Sequence, residues 1–294
     1  MDRRNVDSWT HPKSILVATN LTDLERLLPY AKAQAKATGA MLWLVHVVEE
    51  PVYGTAMSGV NPSVPEEVAL RNAQSVLADA VTGLRRANFM CMYEVCRLPI
   101  EEQIAAFVRD KKIDRLIQGT SGKGRLGKLL LGSVAETMIR TLDIPVCTVG
   151  PKIEWDASPA LRTVLFATSL RHQSEMCAQL ALAHALANNA KAHVAILHVL
   201  ESDAGENAQV PRAVEAMDAL TSIEREGCAE SHILVRLGDP AEEILREIAE
   251  LRPMALVLGV ESASDLTSAL RPGTVYEMIA KASCPVFTLR DASQ

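Results

Sequence analysis

The residues Gly119-Thr-Ser-Gly122-Lys-Gly-Arg-Leu-Gly-Lys-Leu-Leu-Leu-Gly132-Ser133 are of the types that hold an anion. Gly119 and Gly122 let a backbone turn tightly and approach a ligand with no Cβ in the way. Successive N–H groups in such a turn form an anion nest. Gly132-Ser133 opens an apolar helical pattern through Val134, Met138 and Leu142, and a helix start adds free N–H groups and partial positive charge. Ser133 offers a hydroxyl and is a good N-cap type. Lys123, Arg125 and Lys128 concentrate cations in a chain whose net charge is −6. The guest this chemistry suits is a polyphosphate. Within the run, Gly122 to Lys128 has the G-x-x-x-x-G-K spacing of a P-loop, but Leu129 stands where Ser or Thr must hold magnesium, so that motif is rejected. No G-x-G-x-x-G follows the first strand, which excludes the dinucleotide fingerprint. A glycine cluster alone reads as a flexible surface connection; its placement after an apolar strand and before a helix start argues otherwise.

The elements that position this loop occur twice. Ser14-Ile-Leu-Val-Ala-Thr-Asn20 matches Thr163-Val-Leu-Phe-Ala-Thr-Ser169, and Leu44-Val-His46-Val47 matches Ile196-Leu-His198-Val199. Leu116-Ile-Gln-Gly119 matches Leu256-Val-Leu-Gly259, Gly132-Ser133 matches Gly273-Thr274, and Pro145-Val-Cys-Thr-Val149 matches Pro285-Val-Phe-Thr-Leu289. Matched blocks in one order define a tandem repeat. Residues 1–12 read as a tail, 13–150 as the first unit, 151–160 as a linker marked by Pro151, Ser158 and Pro159, and 161–290 as the second unit. In the first unit, near-continuous Val/Ile/Leu runs predict strands over 14–19, 41–48, 90–96, 113–118 and 145–149, as in a parallel sheet buried on both faces. Helical stripes lie between them, Ile100, Ile104, Phe107 and Val108 among them. Alternation of this kind gives an α/β, doubly wound fold, with ligands outside the carboxyl ends of the strands.

At these residues the chain resembles the universal stress protein family. Gly119, Gly122, Gly132 and Ser133 fit that family's G-2x-G-9x-G-[S/T] loop, and the first-strand phrase, the His46-Val47 strand end and Pro145-Val-Cys-Thr-Val149 are similar to it. The resemblance spans both units and implies two tandem doubly wound units, each a five-stranded parallel sheet of order 3-2-1-4-5 flanked by helices. It implies ATP or a related adenine nucleotide, with or without Mg²⁺, in the first unit only. Carried over by position, Ala18, Thr19 and Asn20 line the adenosine end, the Val47 backbone meets the adenine, and Gln118, Gly119, Thr120, Gly122, Lys123, Gly132, Ser133 and Val134 surround ribose and phosphates. The family's first strand usually ends in Asp, and here Asn20 replaces it. The charge-assisted bond, roughly 1.5–3 kcal/mol, becomes a neutral one of about 0.5–1.5 kcal/mol, or about tenfold in affinity. The function implied is an adenine-nucleotide-binding regulatory module. A non-nucleotide interaction scaffold and a slow ATPase are the alternatives; no catalytic constellation is legible.

The second copy departs further. Its first strand ends in Ser169, Ser262 replaces the second glycine, and Glu261 and Asp265 bring negative charge where phosphates would sit. Thr274 there reads as a cap. The closing strands, 145–149 and 285–289, are similar to the family's dimerising edges, which implies an intramolecular pseudo-dimer and leaves a homodimer open. His46 and His198 read as structural histidines at equivalent strand ends. Asp23 reads as an early-helix residue complementing the dipole, and Glu136 and Glu277 as exposed or partner-facing. Residues 50–64 read as a loop near the site.

Composition bounds the rest. A chain of 294 residues with 48% hydrophobic and 22% charged residues is globular. A pI near 5.7 gives no basic field for nucleic acid. The six cysteines include no C-x-x-C, and Cys147 and Cys284 read as small buried hydrophobes. A polar start without an apolar h-region and the lack of a membrane-length run lead to the expectation of a cytoplasmic protein without a membrane partner.

Overall fold

Residues that alternate between two apolar surroundings explain the strands. In β1 (Ser14–Ala18), Ile15 and Val17 enter one core and Leu16 enters the other. The period of two and burial on both faces leave no position for a polar side chain in the middle of the strand. In β4 (Arg115–Gly119), Ile117 and Leu116 divide in the same way. The computed structural model describes residues 3–48, 63–120, 131–153, 162–170, 173–200, 206–221, 229–260 and 272–290.

The first unit runs α1 (Arg3–Thr10), β1, α2 (Leu24–Thr38), β2 (Met41–Val48), α3 (Ser63–Arg86), β3 (Cys91–Arg97), α4 (Ile100–Asp110), β4, α5 (Ser133–Thr141) and β5 (Val146–Val149). The second runs β6 (Thr163–Ala167), α6 (Gln173–Ala190), β7 (His193–Leu200), α7 (Glu206–Thr221), β8 (Ser231–Leu237), α8 (Pro240–Leu251), β9 (Ala255–Val260), α9 (Pro272–Lys281) and β10 (Val286–Arg290). Strand order along the sheet is β3-β2-β1-β4-β5-β10-β9-β6-β7-β8. Each unit therefore has the order 3-2-1-4-5 in its own numbering, with parallel pairing inside it. The predicted strands 90–96 and 113–118 settle at Cys91–Arg97 and Arg115–Gly119.

Two cores cover the sheet. Leu24, Leu27, Leu77 and Val81 of α2 and α3 pack on one face; Ile104, Phe107, Met138 and Ile139 of α4 and α5 pack on the other. A buried leucine such as Leu16 contributes about 1.5–3 kcal/mol by leaving water. The chain leaves β1 toward β2 on one side and later returns to place β4 on the other, so the order in which strands are added reverses between β1 and β4. Ligands of doubly wound sheets bind at such a point.

β5 and β10 pair antiparallel, with Phe287 opposite Cys147, and join the units' strands into one sheet. Around this seam Tyr276 Oη donates to Glu136 Oε1 at 2.7 Å, and Arg290 Nε donates to Asp143 Oδ1 at 3.1 Å. Glu136 thus faces the second unit, whereas Glu277 pairs with Lys281 on its own helix. Arg115 is buried beneath the seam; it donates to Trp9 O at 2.6 Å and Gln34 Oε1 at 2.8 Å, and lies over the Phe287 ring. Burial lowers its pKa to about 10. Cys147 and Cys284 are buried free thiols, and burial raises both to about 12. No described helix is long and apolar enough to cross a membrane.

Candidate nucleotide site

The carboxyl ends of β1 and β4 deliver Ala18-Thr19-Asn20 and Gln118-Gly119-Thr120 side by side, because Ala18 pairs with Gln118. Thr19 is buried, and its N–H donates to Val45 O at 3.0 Å, carrying the parallel ladder toward β2 one residue past β1. His46 Nδ1 donates to Thr19 O at 2.8 Å. That bond fixes the ring as a structural clasp between the strand ends, with no metal-ligand partner among the described residues around it. His198 repeats the bond to Thr168 O at 2.8 Å, and burial lowers its pKa. Val47 is buried in β2, in register with Cys96 of β3.

A tight turn follows. Leu21 adopts φ 74, a left-handed conformation costly for a branched side chain, and Leu170 adopts φ 60 at the matching place in the second unit. The turn is held by side chains. Asn20 Oδ1 accepts from Thr22 N at 3.0 Å, Thr22 Oγ1 at 2.9 Å and Asp23 N at 3.1 Å. The side-chain oxygen of Asn20 is therefore committed to its own turn.

Asp23 stands at the N-cap position of α2 but makes no side-chain cap bond with that helix. Its place at the helix start is the expected one, and its hydrogen bonds add a second role. Its buried carboxylate turns back to the strand end, where Oδ1 accepts from Thr19 Oγ1 at 2.5 Å and from Asn20 N at 3.2 Å. The other oxygen lies over Gly119: a Cβ built there would stand 2.6 Å from Asp23 Oδ2 and 3.4 Å from Arg26 Nη2. Gly119 is thus required for close approach of α2's first turn to β4. Arg26 Nε is buried without a hydrogen-bond partner. Neither Asp23 nor Arg26 was among the residues the sequence singled out for the site. The legible signal is a carboxylate four residues after Thr19.

Helix α5 faces the same point. Gly132 is its N-cap, with φ −65 and ψ 149, and gives no side-chain cap bond; Ser133 is the first helical residue and exposed, not the cap. The contrast with α8 is instructive, since Asp239 there accepts from Ala241 N at 2.9 Å and Glu242 N at 3.1 Å. Among the described residues, the first N–H groups of α5, through Ser133 and Val134, have no such side-chain acceptor. Gly132 N donates to Thr120 O at 3.4 Å, which ties the helix start to the end of β4. Gln118 does the same from within: its buried Nε2 donates to Ala135 O at 3.0 Å. Its amide N–H₂ therefore anchors α5. Gly122 and Lys123 lie outside the described residues, as do Arg125, Lys128 and most of the 50–64 loop.

In the second unit a different side chain lies against the equivalent glycine. The amide of Gln179, a buried residue of α6, presses on Gly259 where a Cβ would be. By sequence position His172 stands where the first unit has Asp23. Glu261, Ser262 and Asp265 lie outside the described residues.

Comparison with known proteins places this architecture. A sequence profile of the universal stress protein family matches residues 12–150 and again 160–290. A universal stress protein of Thermus aquaticus is 31% identical over 147 residues, which is 47% of this chain and 98% of that protein. One from Methanocaldococcus jannaschii is 27% identical over 155 residues, 48% of this chain and 96% of that protein. Among solved structures, a universal stress protein from Archaeoglobus fulgidus superposes with a TM-score of 0.69 at 20% identity, covering 95% of this chain and 98% of its own. A functionally unknown protein from Pseudomonas aeruginosa gives 0.70 at 18% identity, covering 97% and 94%. At those identities the structures speak for the fold.

Proposed function

The chain belongs to the universal stress protein family, and on that premise we propose that it is a regulatory module binding one adenine nucleotide, in the first unit. The observation that carries this reading is the start of α5, which has no side-chain cap among the described residues, beside the carboxyl ends of β1 and β4. The N–H groups and partial positive charge of a helix start, together with the glycine spacing of 119–133 in the sequence, suit phosphate. Thr19, Asn20 and the Val47 backbone stand on the β1–β2 side for the nucleoside. Asp23 supplies the carboxylate that the family's strand-ending Asp usually brings; Asn20 supplies the turn. Mg²⁺ is not required by this reading. The second unit is the unliganded partner, because in its sequence His172 stands where the first unit has Asp23 and Ser262 replaces the second glycine of the loop. The β5–β10 seam serves as the internal counterpart of a dimer contact.

The test is direct. Purified full-length protein is denatured and the supernatant analysed for released adenine nucleotide. Substoichiometric to equimolar ATP, ADP or AMP supports the reading. No nucleotide, together with no protection of the 119–133 region from proteolysis by added ATP, favours the scaffold alternative.

A further inference from the structure

The opposite end of the second unit carries a different chemistry. β7 begins at His193, and the residue just before β8 is Glu230. Val194 pairs with Ser231 and Ala195 with His232. One step back along this register puts His193 beside Glu230, and Val194 N donates to Glu230 O at 2.8 Å. Residues two apart share a sheet face, so Glu230 and His232 both project to the side of His193. All three side chains are exposed, and one ligand atom from each lies within 4.8 Å of the others. His193 Nδ1 and Glu230 Oε2 are 3.4 Å apart. Ligand arms of about 2.0–2.2 Å in a tetrahedral set have edges near that length. The imidazole centroids of His193 and His232 are 5.9 Å apart, which leaves room for an ion between ring edges.

We propose that His193, Glu230 and His232 form a binding site for a borderline divalent transition ion of the Zn²⁺ type, with solvent completing the coordination. Two imidazoles and a carboxylate suit such an ion; Mg²⁺ and Ca²⁺ demand oxygen sets. The site lies at the amino ends of β7 and β8, away from the carboxyl ends where the nucleotide reading is placed, and is independent of it.

The repeat supplies an internal control. The equivalent register in the first unit, Ser14 beside Met41 and Leu42 beside Cys91, with Leu42 N donating to Met90 O at 2.9 Å, puts Met41, Met90 and Met92 at the corresponding corner. Met90 and Met92 are 64% and 44% exposed. Zn²⁺ is held by thiolate, imidazole and carboxylate, and thioethers are not in that donor set. The two units therefore present different donor sets at the same corner, and only the second offers imidazole and carboxylate.

The experiment is calorimetric titration of the full chain with ZnCl₂ under non-thiol reductant, alongside His193→Ala, His232→Ala, Glu230→Gln and, as a control, Met92→Leu. Loss of a group outside the coordination shell typically costs ten- to a hundredfold in metal affinity, so each histidine variant should weaken Zn²⁺ binding by at least about tenfold. Met92→Leu should leave it unchanged, and Mg²⁺ should give no heat. Circular dichroism checks folding, and Glu230→Gln stands in if a histidine variant is unfolded. Long-range ¹H–¹⁵N spectra should show Zn²⁺ moving these two imidazoles. Absence of Zn²⁺ binding, or binding equal in all variants, as cysteine ligation would give, overturns the proposal.

Discussion

The carboxylate of Asp23 lies against the backbone of Gly119, so that a Cβ at residue 119 would stand 2.6 Å from Asp23 Oδ2. Real Cβ atoms do not tolerate that approach. Asp23 cannot yield freely, because its other oxygen is bonded to Thr19 and Asn20. The contact joins the first turn of α2 to the end of β4, the two elements on either side of the topological switch. Gly119→Ala should cost about 1–3 kcal/mol, the range for overpacking, read as a lower urea midpoint. In an Asp23→Ala background the same substitution should cost less by about 0.5 kcal/mol or more. Additive losses would mean that the contact is not what limits residue 119.

Asp23→Asn keeps an acceptor for Thr19 and removes the charge. If Asp23 provides the site's carboxylate, ATP affinity should fall about tenfold, the difference between a charge-assisted and a neutral hydrogen bond. Asn20→Asp, by contrast, should leave affinity nearly unchanged, since the side-chain oxygen at 20 is spent on Thr22 and Asp23. Titration of both variants with ATP decides between the two positions; a gain at 20 with no loss at 23 reverses the assignment.

His198 gives a pH signature. Its folded pKa is depressed by burial, so the folded protein holds the ring neutral while the unfolded chain takes up a proton near pH 6.5. The unfolded state then binds more protons, and the stability this histidine contributes is present above pH 6.5 and lost as pH falls toward the folded pKa. Urea midpoints measured from pH 7.5 down to pH 5.5 should decline. His198→Asn, whose amide can still donate to Thr168 O, should decline less steeply.

The buried thiols give a chemical one. The thiolate is the reactive form, and Cys147 and Cys284, raised to about 12, hold almost none of it near pH 8. Iodoacetamide with peptide mass spectrometry should leave both unmodified in the native protein and label both in urea. Native labelling of Cys147 would mean that the β5–β10 seam opens readily.

Much of this fold is written in residue order. The Val/Ile/Leu runs that divide between two cores, the repeated strand-ending phrases and the glycine spacing from 119 to 133 are all local patterns, and they place strands, units and loop. What local pattern does not carry is where a polar side chain goes once the chain has turned. Asp23 reads as an ordinary helix-start acid until Leu21's left-handed turn points it back to Thr19 and Gly119. Gln118 reads as a ligand residue until β5 and α5 close over it. Gln179 has no legible role until α6 packs on Gly259. His193 and His232 belong to different strands, and only the β7–β8 register brings them together.

One adenine nucleotide per chain, held by the first unit, is the expectation on which the proposed function stands. Isothermal titration of the full-length protein with ATP tests it most directly, with Gly122→Val as the companion because that residue is the second glycine of the intact loop. One equivalent of ATP should bind the native chain, and binding should be lost in the variant. Two equivalents, no heat at high micromolar nucleotide, or identical isotherms for the two proteins would contradict it.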